Sequence, residues 1–172
     1  NETLNVSIQS THGGNFEALN TTDTASTTIA DDADVTVVTL TAPEQVTEGG
    51  SVVYTVSVNN PVHGTPLEVT LSNGRVITIP VGESSADSAP RLVRLDDPYA
   101  EGNEPVTASI RSVRGGDFEA LDTRDTASTM VVDDMDVTVV TLTATPSVTE
   151  GGSIVYTASV NNPVTGADLV VT

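Results

Sequence analysis

The chain contains no cysteine, no tryptophan and no lysine. Without cysteine it can build no disulfide scaffold, no thiolate zinc site and no cysteine nucleophile. Aromatic residues make up only 3% of its 172 residues, so any core is thin and aliphatic. The six basic residues are all arginine, against 24 Asp and Glu, which sets the net charge at -18. Affinity for nucleic acid comes mostly from neutralising phosphates, and six scattered arginines offer no basic face for that. Contact with an anionic membrane surface is disfavoured on the same ground. No run approaches the ~18 consecutive apolar residues of a membrane-spanning helix. Asn1-Glu2-Thr3-Leu4 has neither the basic nor the apolar region of a signal peptide, and the chain reads as a segment of something longer. High charge with few aromatics is a signature of disorder. Against it stands a hydrophobic content of 37%, gathered in periodic Val, Ile and Leu runs able to bury a core.

What is present is a repeat. Asp34-Val-Thr-Val-Val-Thr-Leu-Thr-Ala42 recurs as Asp136–Ala144, an offset of 102 residues. Val46-Thr-Glu-Gly-Gly-Ser51 recurs as Val148–Ser153, and Val58-Asn-Asn-Pro-Val62 as Val160–Val164. Towards the N-terminus, Gly13-Gly-Asn-Phe-Glu-Ala-Leu19 matches Gly115-Gly-Asp-Phe-Glu-Ala-Leu121, and Asp31-Asp32 matches Asp133-Asp134. The chain therefore divides into the C-terminal part of one repeat (1–32), one complete repeat (33–134) and the N-terminal part of a third (135–172). A period of this size is a whole domain, which points to a tandem array.

Each repeat reads as all-β. Short β-branched runs separated by Gly, Pro and Asn turns predict strands at Val35–Ala42, Ser51–Asn59, Leu67–Leu71, Arg75–Ile79, Ala89–Leu95, Val106–Val113 and Thr126–Val132. Ser72-Asn-Gly74 is a hairpin turn signal. About seven strands in a hundred residues resemble an immunoglobulin-like antiparallel Greek-key β-sandwich. Tyr54, Phe118 and Leu121 are the larger core candidates.

Following the strands up and down assigns the loops to two poles. Glu48, Asp96, Asp97, Glu101, Asp133, Asp134 and Asp136 all fall at one pole, beside the linker to the next repeat. So many carboxylates in one region repel, and shifted pKa values or a cation must relieve them. Hard carboxylate and carbonyl oxygens on flexible loops suit Ca²⁺, whereas zinc or copper would want His or Cys. Mg²⁺ prefers fewer protein ligands. The plain alternative is a solvated acidic rim. Convergence of three loops and a linker favours the ion. Asp117 and Glu119 fall at the opposite pole, where they either reach a neighbouring linker's ion or cap backbone amides.

These residues carry a resemblance. The Glu-Gly-Gly turn at Glu48, the Asp96-Asp97 pair with Glu101, and the terminal Asp133-Asp134 resemble the calcium pole of Calx-β domains. Strings such as Val-Thr-Glu-Gly-Gly-Ser, Val-Asn-Asn-Pro-Val, Asp-Asp-Pro-Tyr and Gly-Gly-Asp-Phe-Glu-Ala-Leu are similar to the tandem repeats of giant RTX-type, type I-secreted bacterial biofilm adhesins of the large adhesion protein family. The resemblance implies an extracellular module at the bacterial cell surface. Its neighbours in the same chain are its partners, and Ca²⁺ at the junction stiffens an array that holds a distal adhesive domain. Asp31, Asp32, Asp34 and Glu150 fall at junctions only partly contained in residues 1–172, so with Asp117 and Glu119 they form a second tier of candidate ligands.

Other functions are weaker on these residues. His12 and His63 are the only histidines, and Arg114 and Thr165 replace them in the neighbouring copies, so neither is a general base. Asp96 and Asp97 are adjacent beside a linker and do not frame a glycosidase cleft. No enzyme is expected. A glycan- or host-surface-binding module would want a distinctive exposed patch, and none is evident. A Calx-β-type calcium sensor would use the same ligands, but tandem copying argues for an array. The incomplete terminal repeats are expected to be poorly ordered or completed by strand pairing with other chains.

Overall fold

The computed structural model describes residues 1–172, and every regular element in it is a strand. No helix is long and apolar enough to cross a membrane. Runs rich in Val, Thr and Ile fit a pleated, half-buried surface better than a helix, where their branched Cβ atoms crowd the preceding turn.

In chain order, β1 (Glu2–Ser7) and β2 (Thr24–Ile29) form an antiparallel pair. The complete repeat holds β3 (Val35–Thr41), β4 (Gln45–Thr47), β5 (Ser51–Val52), β6 (Thr55–Val58), β7 (Leu67–Leu71) and β8 (Val76–Ile79). It continues with β9 (Ser85–Asp87), β10 (Arg91–Leu92), β11 (Glu104–Arg114), β12 (Ala120–Asp122) and β13 (Thr126–Val132). A second antiparallel pair, β14 (Val140–Ala144) and β15 (Tyr156–Val160), follows the linker. Within the complete repeat one sheet runs β4-β13-β11-β7-β8 and the other β12-β3-β6-β9, with β5 and β10 paired beside them. The two sheets enclose one core, making a β-sandwich. The β3–β4 segment crosses from one sheet to the other at Ala42-Pro43-Glu44, because proline has no N–H for the ladder. Its carbonyl is still used, accepting a bond from Thr129 Oγ1 at 2.8 Å.

Alternation decides what is buried. Thr36, Val38 and Leu40 of β3, Leu67, Val69 and Leu71 of β7, and Ala127, Thr129 and Val131 of β13 point inward. Tyr54 is the largest fully buried side chain. Phe118 and Leu121 pack against this core but stay partly exposed. Each fully buried aliphatic side chain contributes roughly 1.5–3 kcal/mol. Two strand expectations shift. Ser51–Asn59 divides into β5 and β6, because the Tyr54 backbone turns to bond Ser88 (Tyr54 N to Ser88 Oγ 3.0 Å, Ser88 N to Tyr54 O 2.8 Å). Ala89–Leu95 retains only β10, since Pro90 interrupts the run, and β9 forms earlier. The short parallel strands β4 and β12 are too brief to leave a period in the sequence.

The terminal pairs keep the repeat's register. Val38 faces Val58 in β3–β6, and Val140 faces Val160 in β14–β15. Thr107 faces Ser128 in β11–β13, and Asn5 faces Ser26 in β1–β2. Their inner faces are uncovered: Tyr156 is 67% exposed where Tyr54 is 0%, and Leu142 is 66% exposed where Leu40 is 2%. The strands that cover Tyr54 and Leu40 have no counterparts around β14–β15 within residues 1–172.

Candidate metal centre

The centre begins with a turn that only glycine can make. After β4 the chain reverses through Glu48-Gly49-Gly50, with Glu48 N bonded to Val132 O and Gly49 N to Arg94 O, each at 3.0 Å. Gly49 has φ +70°, and a Cβ there would lie 2.9 Å from the Asp96 Cβ. The turn thus ties β4 to the end of β13 and lets the Asp96 loop close over it.

Glu48 is the hub. Its side chain is wholly buried, and Oε2 accepts a bond from Arg94 Nε at 2.9 Å. Its other oxygen, Oε1, is buried with no donor in bonding geometry. Two carboxylate groups meet on it. In one, Glu48, Glu101 and Asp133 surround Arg94: Arg94 Nε lies 2.9 Å from Glu101 Oε2, and Nη2 lies 3.4 Å from Asp133 Oδ1. In the other, Glu48, Asp96 and Asp134 offer oxygens all within 4.8 Å of one another. Neither Asp96 nor Asp134 forms an ion pair with arginine. The pole therefore has an arginine-compensated half and an uncompensated half, joined by one buried carboxylate.

The linker is fastened to the same loops. Asp133 Oδ2 accepts from Glu101 N at 3.1 Å, Asp133 N donates to Asn103 Oδ1 at 3.3 Å, and Arg94 Nη1 donates to Gly102 O at 3.0 Å. These contacts set opposite titrations. Burial pushes the Glu48 carboxyl above its ordinary value, the Asp133 carboxyl beside it adds to that, and the Asp134 backbone N–H and then Arg94 only partly offset them. The Glu101 backbone N–H holds Asp133 below the usual carboxylate range, more than burial raises it.

The remaining sequence candidates lie elsewhere. Asp97 turns back on its own loop, where Oδ1 accepts from Tyr99 N at 2.9 Å. Asp136 and Glu150 are exposed and join neither group. Asp31 donates its backbone N–H to Asn1 Oδ1, and Asp32 is exposed. At the opposite pole Glu119 Oε2 accepts from Asp34 N at 2.7 Å, a backbone cap. The Asp117 carboxylate packs over Gly64, whose added Cβ would meet Oδ2 at 2.5 Å. Sequence reasoning missed Arg94. The available signal was its place two residues before Asp96 in a chain with only six basic residues.

The donor set of the uncompensated half is all carboxylate oxygen. Ca²⁺ binds oxygens at about 2.3–2.6 Å, so two ligands on one ion lie no more than about 5 Å apart. The spread of the Glu48, Asp96 and Asp134 oxygens meets that limit. The residues present fit a hard cation.

Among known families, the model of the LapA domain matches residues 34–135 and again 136–172. The two matches begin 102 residues apart, at the two copies of Asp-Val-Thr-Val-Val-Thr. No curated protein and no solved structure matches the chain.

Proposed function

We propose, from the premise that the chain belongs to the LapA domain family, that its repeat is a calcium-locked extender of a bacterial cell-surface adhesin. The family is that of the large adhesion protein of biofilm. The observation that carries the calcium reading is Glu48 Oε1, a buried carboxylate oxygen with no donor in bonding geometry, grouped with Asp96 and Asp134.

The lock works through covalent attachment of its ligands to different parts. Glu48 and Asp96 belong to loops of the sandwich, while Asp134 belongs to the linker. A bound Ca²⁺ supplies positive charge that cancels their repulsion. With all three carboxylates on one ion, the linker cannot swing without breaking a ligand bond. Glu101 and Asp133 stay with Arg94, which offsets part of the charge of the other half. In millimolar calcium outside a cell the junction is stiff, and an array of such junctions holds a distal adhesive domain away from the surface. Because the ion binds the folded pole, it also stabilises the sandwich by mass action.

The test is a thermal melt of the chain in EDTA, in Mg²⁺ and through a Ca²⁺ titration, with isothermal calorimetry beside it. A Ca²⁺-specific rise in Tm, abolished in Asp134→Asn, is the expected result. Equal melting in EDTA and Ca²⁺, with no heat of binding, would reduce the pole to a solvated rim.

A further inference from the structure

The lock just described needs a metal, but the junction also contains a contact that does not. Tyr99 lies on the Asp96–Asn103 loop of the complete repeat, and its hydroxyl donates to the Pro163 carbonyl of the following repeat at 2.8 Å. Tyr99 is half-buried there, in a cleft formed by Pro98 and Tyr99 on one side and Thr138, Asn162, Pro163 and Val164 on the other.

Each side of the contact is held by its own local bonds. On the donor side, Asp97 Oδ1 accepts from Tyr99 N, which fixes the turn that presents the ring. Pro98 between them limits the backbone further. On the acceptor side, Asn161 Oδ1 accepts from Val139 N at 2.7 Å, and Asn162 Nδ2 donates to Thr138 Oγ1 at 3.1 Å. The complete repeat provides a control, since its identical Asn59-Asn60-Pro61 has no tyrosine seated on it. There Asn59 Oδ1 accepts from Val37 N at 2.7 Å, and Asn60 Nδ2 donates to Thr36 Oγ1 at 2.9 Å. The loop keeps these two side-chain bonds with and without a tyrosine, so they do not depend on docking. The Pro61 carbonyl accepts no hydrogen bond in this chain.

We propose that the Asp97-Pro98-Tyr99 turn is a metal-independent latch, whose partner is the preformed Asn-Asn-Pro-Val loop of the next repeat. Two preorganised surfaces lose little conformational entropy on meeting, so one hydrogen bond and one aromatic ring suffice to bias the angle. The latch sets the orientation in which the junction carboxylates are offered to a cation. It holds whether or not the calcium reading is right.

The test uses the whole chain, which has no native cysteine to interfere with labelling. Spin labels at Thr78→Cys on β8 and Thr157→Cys on β15, both exposed positions, report the distance between repeats by pulsed electron resonance. In EDTA the parent is expected to give a narrow distribution. Tyr99→Phe, which keeps the ring and loses the bond, is expected to raise the undocked fraction about fivefold, the weight of one net hydrogen bond. Tyr99→Ala is expected to broaden the distribution further. A parent already as broad in EDTA as Tyr99→Ala overturns the latch, and so does a Tyr99→Ala distribution as narrow as the parent's. Repeating the series in Ca²⁺ reads the metal lock separately: narrowing by Ca²⁺ in Tyr99→Ala belongs to the lock alone.

Discussion

Arg94 Nε lies 2.9 Å from Oε2 of Glu48, whose side chain is entirely buried. The pole is thus not a bare acidic cluster. Five carboxylates face one guanidinium, which is shared among Glu48, Glu101 and Asp133. A buried carboxylate stripped of its only cation is far costlier than the intact pair is valuable. Arg94→Met is therefore expected to lower Tm in EDTA by on the order of 10 °C. Calcium should restore part of the loss, because it supplies the missing charge. The double variant Arg94→Met with Glu48→Met should melt above the single one, as the wholly buried carboxylate is gone. A differential scanning calorimetry series on the three chains checks this.

The pH dependence follows from the same pair, with the sign set by which state holds the proton. Glu48 is raised in the folded chain, so between its ordinary value and its folded value the folded state binds more protons than the unfolded state. Metal-free stability from this group is expected to fall as pH rises through that window. Asp133 is lowered, so its contribution is present above the ordinary aspartate value and is lost as pH falls through its folded value. Asp122, held down to about 2 by Arg124, behaves the same way, its contribution being lost as pH falls towards that value. Calcium must displace the Glu48 proton, so the Ca²⁺-dependent gain in Tm is expected to grow with pH where metal-free stability declines. Glu48→Gln should remove both slopes, read as Tm against pH in EDTA and in Ca²⁺.

The core carries a different kind of tension. The Tyr54 hydroxyl is buried without a hydrogen-bond partner. Desolvating such a group costs about 1–3 kcal/mol, which phenylalanine avoids at nearly the same volume. Tyr54→Phe is expected to stabilise the chain by about 1 kcal/mol, a rise in Tm of about 4–8 °C. Denaturant titration at constant m-value checks it. The same change at Tyr156, 67% exposed, should leave stability unaltered.

What the sequence disclosed follows a physical rule. Strands whose inner residues alternate, such as Ala127, Thr129 and Val131 of β13, are legible because the period of two marks the buried face. The approach of Glu48, Asp96 and Asp134 is legible too, since strand direction alone decides which loops share a pole. Local turn chemistry is not. Asp96 and Asp97 are equivalent on paper, yet Asp97 bonds its own loop at Tyr99 N and Asp96 faces Glu48. Arg94 stayed hidden for a related reason. It lies beyond the end of β10 (Arg91–Leu92), where no strand period assigns its side chain to a face. Glu119 could have been a ligand or a cap by its spacing, and only the 2.7 Å bond to Asp34 N distinguishes them.

Two glycine turns in the complete repeat separate strain from site geometry. Gly49 and Gly74 both have positive φ, at +70° and +81°. A Cβ at Gly74 meets nothing within 4 Å, so Gly74→Ala carries only the left-handed backbone penalty of about 1 kcal/mol. A Cβ at Gly49 also strikes the Asp96 Cβ at 2.9 Å, and the side chain it strikes is fixed in a loop. To relieve the clash, Asp96 must move away from Glu48, taking one carboxylate out of the uncompensated half. Gly49→Ala is therefore expected to lose more stability than Gly74→Ala and to lose at least tenfold in Ca²⁺ affinity, about 1.4 kcal/mol. Gly74→Ala should keep parental affinity. Calorimetric titration of both variants at equal folded fraction decides it. Equal affinities would mean that Asp96 does not touch the ion.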